Sequence, residues 1–253
     1  MILRAGDRAW VTGGAGGIGG AIVAELARRG IHVLSLDRVD GNTTSHLVRY
    51  ARVDLSSEAA RAALATAHEP PDLFVHAAAR ADVGTLEHTP LEAWREGFEV
   101  GVFAAVDLLR IALPAMRTRG RGHVLLLGSA IADAPLPGAT AYSAQKAALL
   151  AVGRALRAEL AGTGVGVSTL LPGLVRTGIA GHTHVHGGDA QAWRARVSAL
   201  YTRGVSPEKV ARKALRMVEH DDAEARLGVD AAAMRAVRML MPGWLGRVRT
   251  FRP

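Results

Sequence analysis

The chain has 253 residues, 49% of them hydrophobic, enough to bury a full core and in keeping with a single α/β domain over 1–253. It contains no cysteine, which excludes disulfides, thiolate catalysis and cysteine-ligated zinc. The formal charge of +8 raises nucleic acid as a partner, but the arginines are dispersed and aromatics that would stack on bases are scarce, so none is expected.

The opening residues Met1 to Asp7 lack the apolar centre and cleavage pattern of a secretory signal, and no apolar run is long enough to cross a bilayer. A cytoplasmic location is the expectation. Short runs rich in Val, Leu and Ile then alternate with stretches of helical period, as in a parallel sheet buried on both faces. Strands are predicted at Arg8–Val11, His32–Leu36, Leu47–Val53, Leu73–His76, His123–Leu127, Gly166–Leu171 and Arg226–Val229. Helices are predicted at Gly19–Arg29, Glu58–His68, Leu91–Arg117, Ala141–Gly162 and Pro207–His220. The alternation predicts a Rossmann-like, doubly wound parallel sheet of about seven strands.

Between Leu174 and Gly204 the period is lost and glycines recur, predicting a lid with a short helix near Ala190–Leu200 at the ligand-binding edge of the sheet. The final segment, 231–253, mixes Arg235, Arg238, Arg247, Arg249 and Arg252 with Met239, Leu240, Met241, Trp244 and Leu245. It is read as a cover for the pocket or a subunit contact, with peripheral membrane contact as a third role.

Gly13, Gly17, Ile18 and Gly19 form the turn from the first strand into the first helix. There a missing side chain lets backbone approach a pyrophosphate at the positive helix end. Asp37 ends the second strand, where a carboxylate bonds a ribose and repels a 2′-phosphate, so NAD is expected, with NADP as the alternative. Arg38 would pair with that phosphate only if Asp37 turned away.

Tyr142 and Lys146 lie four apart in a predicted helix and therefore share a face. A phenol is a poor base near neutrality unless positive charge favours its phenolate, and Lys146 is placed to supply it. Ser129, thirteen residues before Tyr142, ends a strand where its hydroxyl can bond a substrate oxygen. With Thr12-Gly13-xxx-Gly17-x-Gly19 and Tyr142-xxx-Lys146 in this order, the chain resembles the short-chain dehydrogenase/reductase family over most of Gly6–Val229.

The resemblance implies an oxidoreductase interconverting a secondary alcohol and a ketone. Ser129 would orient the substrate, Tyr142 would transfer the proton, and Lys146 would tune Tyr142 and hold the nicotinamide ribose. It implies cofactor contacts at Asp54, Ala78, Pro172, Gly173 and Thr177, and a homodimer or homotetramer formed through the long helices. Asp54 has an equal alternative as a cap near Ser56. The substrate is expected to be hydrophobic from Ile179, Trp193, Leu200 and Tyr201. A lyase, isomerase or epimerase using the same tyrosine, or a dinucleotide sensor without catalysis, remain the alternatives.

Two departures stand out. After the fourth strand the chain reads His76-Ala77-Ala78-Ala79 in place of the family's Asn-Asn-Ala-Gly, and His76 is expected to be structural. Gly101 follows Trp94 and Val100 where the family carries a catalytic asparagine, so ordered water is expected to fill the space. His182, His184 and His186 alternate, which would bring three imidazoles to one face of an extended segment, but a polar lid is the reading preferred over a metal site.

Overall fold

The computed structural model describes residues 1–240, apart from the side chains of Ala65, Val237 and Arg238. Met241, Trp244, Leu245, Arg247, Arg249 and Arg252, on which the reading of the tail depends, lie outside the described residues, as does the side chain of Arg238.

In chain order the elements are β1 (Arg8–Thr12), α1 (Gly17–Arg28), β2 (His32–Asp37), β3 (Val48–Arg52), α2 (Glu58–Ala67), β4 (Leu73–His76) and β5 (Asp82–Gly84). They continue with α3 (Leu91–Phe98), a π-turn (Glu99–Phe103), α4 (Ala104–Thr118), β6 (Gly122–Leu127), a 3₁₀ turn (Ala130–Ala132) and α5 (Thr140–Glu159). The chain closes with β7 (Val165–Pro172), α6 (Ile179–His182), β8 (His184–His186), α7 (Ala190–Tyr201), α8 (Pro207–His220), β9 (Glu224–Leu227) and α9 (Val229–Leu240).

Seven strands form one sheet in the order β3-β2-β1-β4-β6-β7-β9, with every pairing parallel. Successive side chains of a strand face opposite ways, so β1 feeds two cores. Ala9 and Val11 join Ile22, Val23 and Leu26 of α1 and Val210, Ala214 and Leu215 of α8. Trp10 joins Phe74 and Val124 under Leu108, Leu109 and Met116 of α4 and Leu149 of α5. The order reverses beside β1, between β2 and β4, and the carboxyl ends there open a crevice.

Three sequence expectations are corrected. The predicted helix Leu91–Arg117 is interrupted by the π-turn around Gly101, where one extra residue per turn is accommodated without a side chain. The last strand begins two residues earlier than predicted, at Glu224, and Val229 already opens α9. The edge strand β3 is shorter than predicted and none of its residues is fully buried, because it has a strand neighbour on one side only. Two short strands were missed: β5 and β8 pair in parallel, tying the lid to the segment after β4. Each has three residues, too few for a period to show.

Candidate active site

β1 delivers the chain to Gly13, whose φ of +67° is a left-handed conformation that glycine adopts without strain. A Cβ there would lie 2.7 Å from the Ala78 nitrogen, so the turn rests directly on the backbone after β4. A Cβ on Gly19 would overlap the Gly13 carbonyl oxygen, and one on Gly17 would meet Cγ2 of Thr177 at 2.5 Å. Gly16 precedes α1 with no side chain to cap it, and no acidic residue stands in the helix's first turn, so the positive helix end is left for an external anion. This cradle fits a dinucleotide pyrophosphate.

Asp37 stands at the rim of that turn, its carboxylate accepting from the amides of Ala15 at 3.1 Å and Arg38 at 2.7 Å. Asp54 is exposed and accepts from the amide and hydroxyl of Ser56 at 2.9 and 2.7 Å, bonds that lower its pKa. Its capping alternative therefore describes these contacts, although Ser57 is the residue whose hydroxyl caps α2. Pro172 ends β7, and Gly173 packs so closely on Asp230 of α9 that a Cβ would overlap the carboxylate.

His76 is fully enclosed, and its Nδ1 lies 2.9 Å from the Thr12 hydroxyl. Burial, with the Lys146 charge adding to it, lowers its pKa to about 3, against a weaker pull upward from the Gly101 carbonyl. The imidazole is thus neutral near pH 7 and bonded between β4 and β1.

Ser129, Tyr142 and Lys146 converge beyond the end of β6. The Ser129 hydroxyl accepts from the Ile131 amide at 3.3 Å and acts on the Tyr142 phenol. Lys146 Nζ is buried, donates to the Leu127 carbonyl at 2.9 Å and stands 5.8 Å from the centre of the Tyr142 ring. Tyr142 retains some contact with solvent but is surrounded by protein atoms. Burial first, then Tyr201 of the lid, raises its pKa, while Ser129 pulls it down. Lys146 was expected to favour the phenolate; here its ammonium lies over the ring and burial lowers its own pKa to about 8.

Residues 7–186 match the family model for short chain dehydrogenase. The chain belongs to the short-chain dehydrogenase family. A 2-keto-3-deoxy-L-fuconate dehydrogenase from Xanthomonas campestris pv. campestris is 29% identical over 75% of this chain. A 1-deoxy-11-beta-hydroxypentalenate dehydrogenase from Streptomyces exfoliatus is 37% identical over 66% of it. The match spans 66% of the length of each of these two relatives. Among solved structures, a short-chain dehydrogenase from Streptomyces avermitilis aligns with TM-score 0.80 and 26% identity over 96% of this chain and 98% of its own. Another, from Burkholderia cenocepacia J2315 in complex with NADP, aligns with TM-score 0.82 and 24% identity over 98% of this chain and 100% of its own, a likeness of fold.

Within this short-chain dehydrogenase the space above Gly101 differs from expectation. It is filled by protein: a Cβ on Gly101 would lie 2.6 Å from Oε1 of Gln145, which reaches over from α5. The Gln145 amide nitrogen donates to the carbonyls of Gly97 and, at 3.3 Å, Arg80. Nothing in the sequence pairs Gln145 with Gly101, because a contact between α5 and the π-turn has no local period.

The lid is also more built than expected. His184 and His186 share a strand, but His182 belongs to α6, so the three imidazoles do not form one row. His186 Nε2 bonds the buried Asp82 at 2.8 Å, and Asp82 also accepts from Arg80 at 2.9 Å. Among the described residues no group of three or more His, Cys, Asp or Glu is arranged to hold a metal. Trp193 is buried against Ala180 and Val197 inside the lid, whereas Leu200 is exposed. Among the described residues no helix is long and apolar enough to cross a membrane.

Proposed function

We propose that the protein is a nicotinamide-dependent oxidoreductase that interconverts a secondary alcohol and a ketone, with NAD preferred over NADP. The observation that carries this reading is the gathering of Ser129, Tyr142 and Lys146 on the same sheet edge as the glycine turn. Gly13, Gly17, Ile18 and Gly19 form the pyrophosphate cradle, with Asp37 at the adenosine ribose and Asp54 near the adenine. Ala78, Pro172, Gly173 and Thr177 would line the nicotinamide half. Bound nicotinamide would supply hydride exchange with the substrate carbon.

The protein's part is orientation and a proton. Ser129 Oγ donates to the substrate oxygen, fixing the carbon toward the cofactor side of the crevice. The raised pKa of Tyr142 means its phenol carries a proton at neutral pH, ready for a ketone oxygen in reduction. Oxidation needs the reverse transfer, from the alcohol to a phenolate that the Lys146 ammonium favours. Lys146 would also hold the nicotinamide ribose. Asp37 supports NAD because a 2′-phosphate beside its carboxylate would meet like charge. The substrate is a small molecule of apolar character, a reading supported by Ile179, Leu200 and Tyr201 in the lid, whereas Trp193 is already used in packing. Assembly as a homodimer or homotetramer in the cytoplasm completes the proposal.

The test is a screen of secondary alcohols with NAD, followed by Tyr142→Phe. Turnover should fall by about 10² or more with NADH affinity retained. Full turnover in the variant would refute the proton-transfer role.

A further inference from the structure

We propose that Asp230, in the first turn of α9, is a positioning residue for the nicotinamide half of the site: its carboxylate holds the Gly173–Leu174 backbone where β7 leaves the sheet. This rests on the proposed reading of Pro172, Gly173 and Thr177 as the wall of that half.

β7 and β9 run in parallel register up to Pro172 opposite Leu227, and the Gly173 amide still donates to the Leu227 carbonyl at 2.9 Å. There β9 ends. Gly228, at a φ of +114° that favours glycine, turns the chain into α9, so the Leu174 amide lies beyond the partner strand. It donates instead to Oδ2 of Asp230 at 2.6 Å. A carboxylate accepting from a backbone N–H makes a charge-assisted bond, stronger than the neutral ladder bond it succeeds.

The carboxylate lies in a slot that two glycines leave open, since a Cβ on either Gly173 or Gly228 would overlap its oxygens. Past the turn the chain is held by backbone: the Leu174 carbonyl accepts from the Val205 amide at 2.9 Å, and the Arg176 amide donates to the Val205 carbonyl at 2.9 Å. Thr177 follows, with its Cγ2 in the space over Gly17 of the glycine turn. Asp230 is thus the side chain that fixes where this segment starts. The cradle at Gly13 and the carboxylate of Asp37 belong to the ends of β1 and β2, which β4 and β6 separate from β7. Loosening the turn at Gly173 should therefore disturb the nicotinamide half and spare the adenosine half.

The experiment is calorimetric titration of the full chain with NADH and with ADP-ribose, which keeps the adenosine and pyrophosphate but lacks the nicotinamide. The wild type is expected to bind NADH more tightly than ADP-ribose. Asp230→Ala should weaken NADH binding by about tenfold or more and leave ADP-ribose binding unchanged, because a bond to a charged group is lost at one half only. Asp230→Asn, whose side-chain oxygen still accepts from the Leu174 amide, should keep most of the NADH preference. Should Asp230→Ala fail to fold, Asp230→Ser takes its place. Equal binding of the two ligands by the wild type, an unchanged ratio in the Ala or Ser variant, or an Asn variant as impaired as these would overturn the inference and leave the cofactor reading standing. Loss of both affinities together would mark a merely structural role and overturn it too. A wild type that binds neither ligand would instead remove the cofactor reading, and the inference with it.

Discussion

Lys146 stands in an unfavourable place for a charge. Its ammonium is buried with one carbonyl as its protein acceptor, and burial holds its pKa at about 8 against 10.5 for a free lysine. Between those values the unfolded chain binds more protons than the folded one, so this residue's contribution makes stability rise with pH across that window. Below it the full cost of the buried charge is present. Lys146→Met should therefore stabilise the fold at pH 7 by on the order of 3 kcal/mol, with the gain shrinking as pH approaches 10.5. Urea unfolding of both proteins at pH 7 and pH 10 measures this. An equal difference at both values would show that the charge is not what Lys146 contributes to the balance.

The elements around the crevice are held by contacts that leave little room for substitution. Gly13 combines a positive φ with a backbone neighbour 2.7 Å from where a Cβ would stand. Gly13→Ala is expected to cost about 2 kcal/mol or more, because left-handed strain adds to a collision that rotamer change cannot relieve. Thermal unfolding of the variant checks this, and an unchanged Tm would mean that the turn adjusts freely. The strand-turn-helix at this site was legible because strand burial, glycine and helix period all occur within one stretch of chain. The π-turn was not: Leu91–Arg117 keeps an apolar face across it, and the contact of Gln145 with Gly101 there joins residues distant in sequence. The β5–β8 pair escaped for the same reason, since His186 and Asp82 meet only after the lid has folded back.

At the scale of the molecule, the parallel sheet and the positions of Ser129, Tyr142 and Lys146 followed from local pattern and spacing, while their electrostatics did not. Spacing put Lys146 on the face of Tyr142, but only the packed environment shows the ammonium over the ring and the phenol's pKa raised. The same holds for His76, whose neutrality depends on enclosure by strands and helices distant in sequence. The proposed preference for NAD draws on both levels: Asp37 was legible as an acidic strand end, and its bond to the Ala15 amide ties the carboxylate to the glycine turn. The central claim is that this turn and this carboxylate form an NAD site, and calorimetric titration of the full chain with NADH and separately with NADPH, at one salt concentration, tests it most directly. The account predicts NADH binding that is clearly tighter than NADPH binding. A preference for NADPH would contradict the role of Asp37, and binding of neither would contradict the oxidoreductase reading itself.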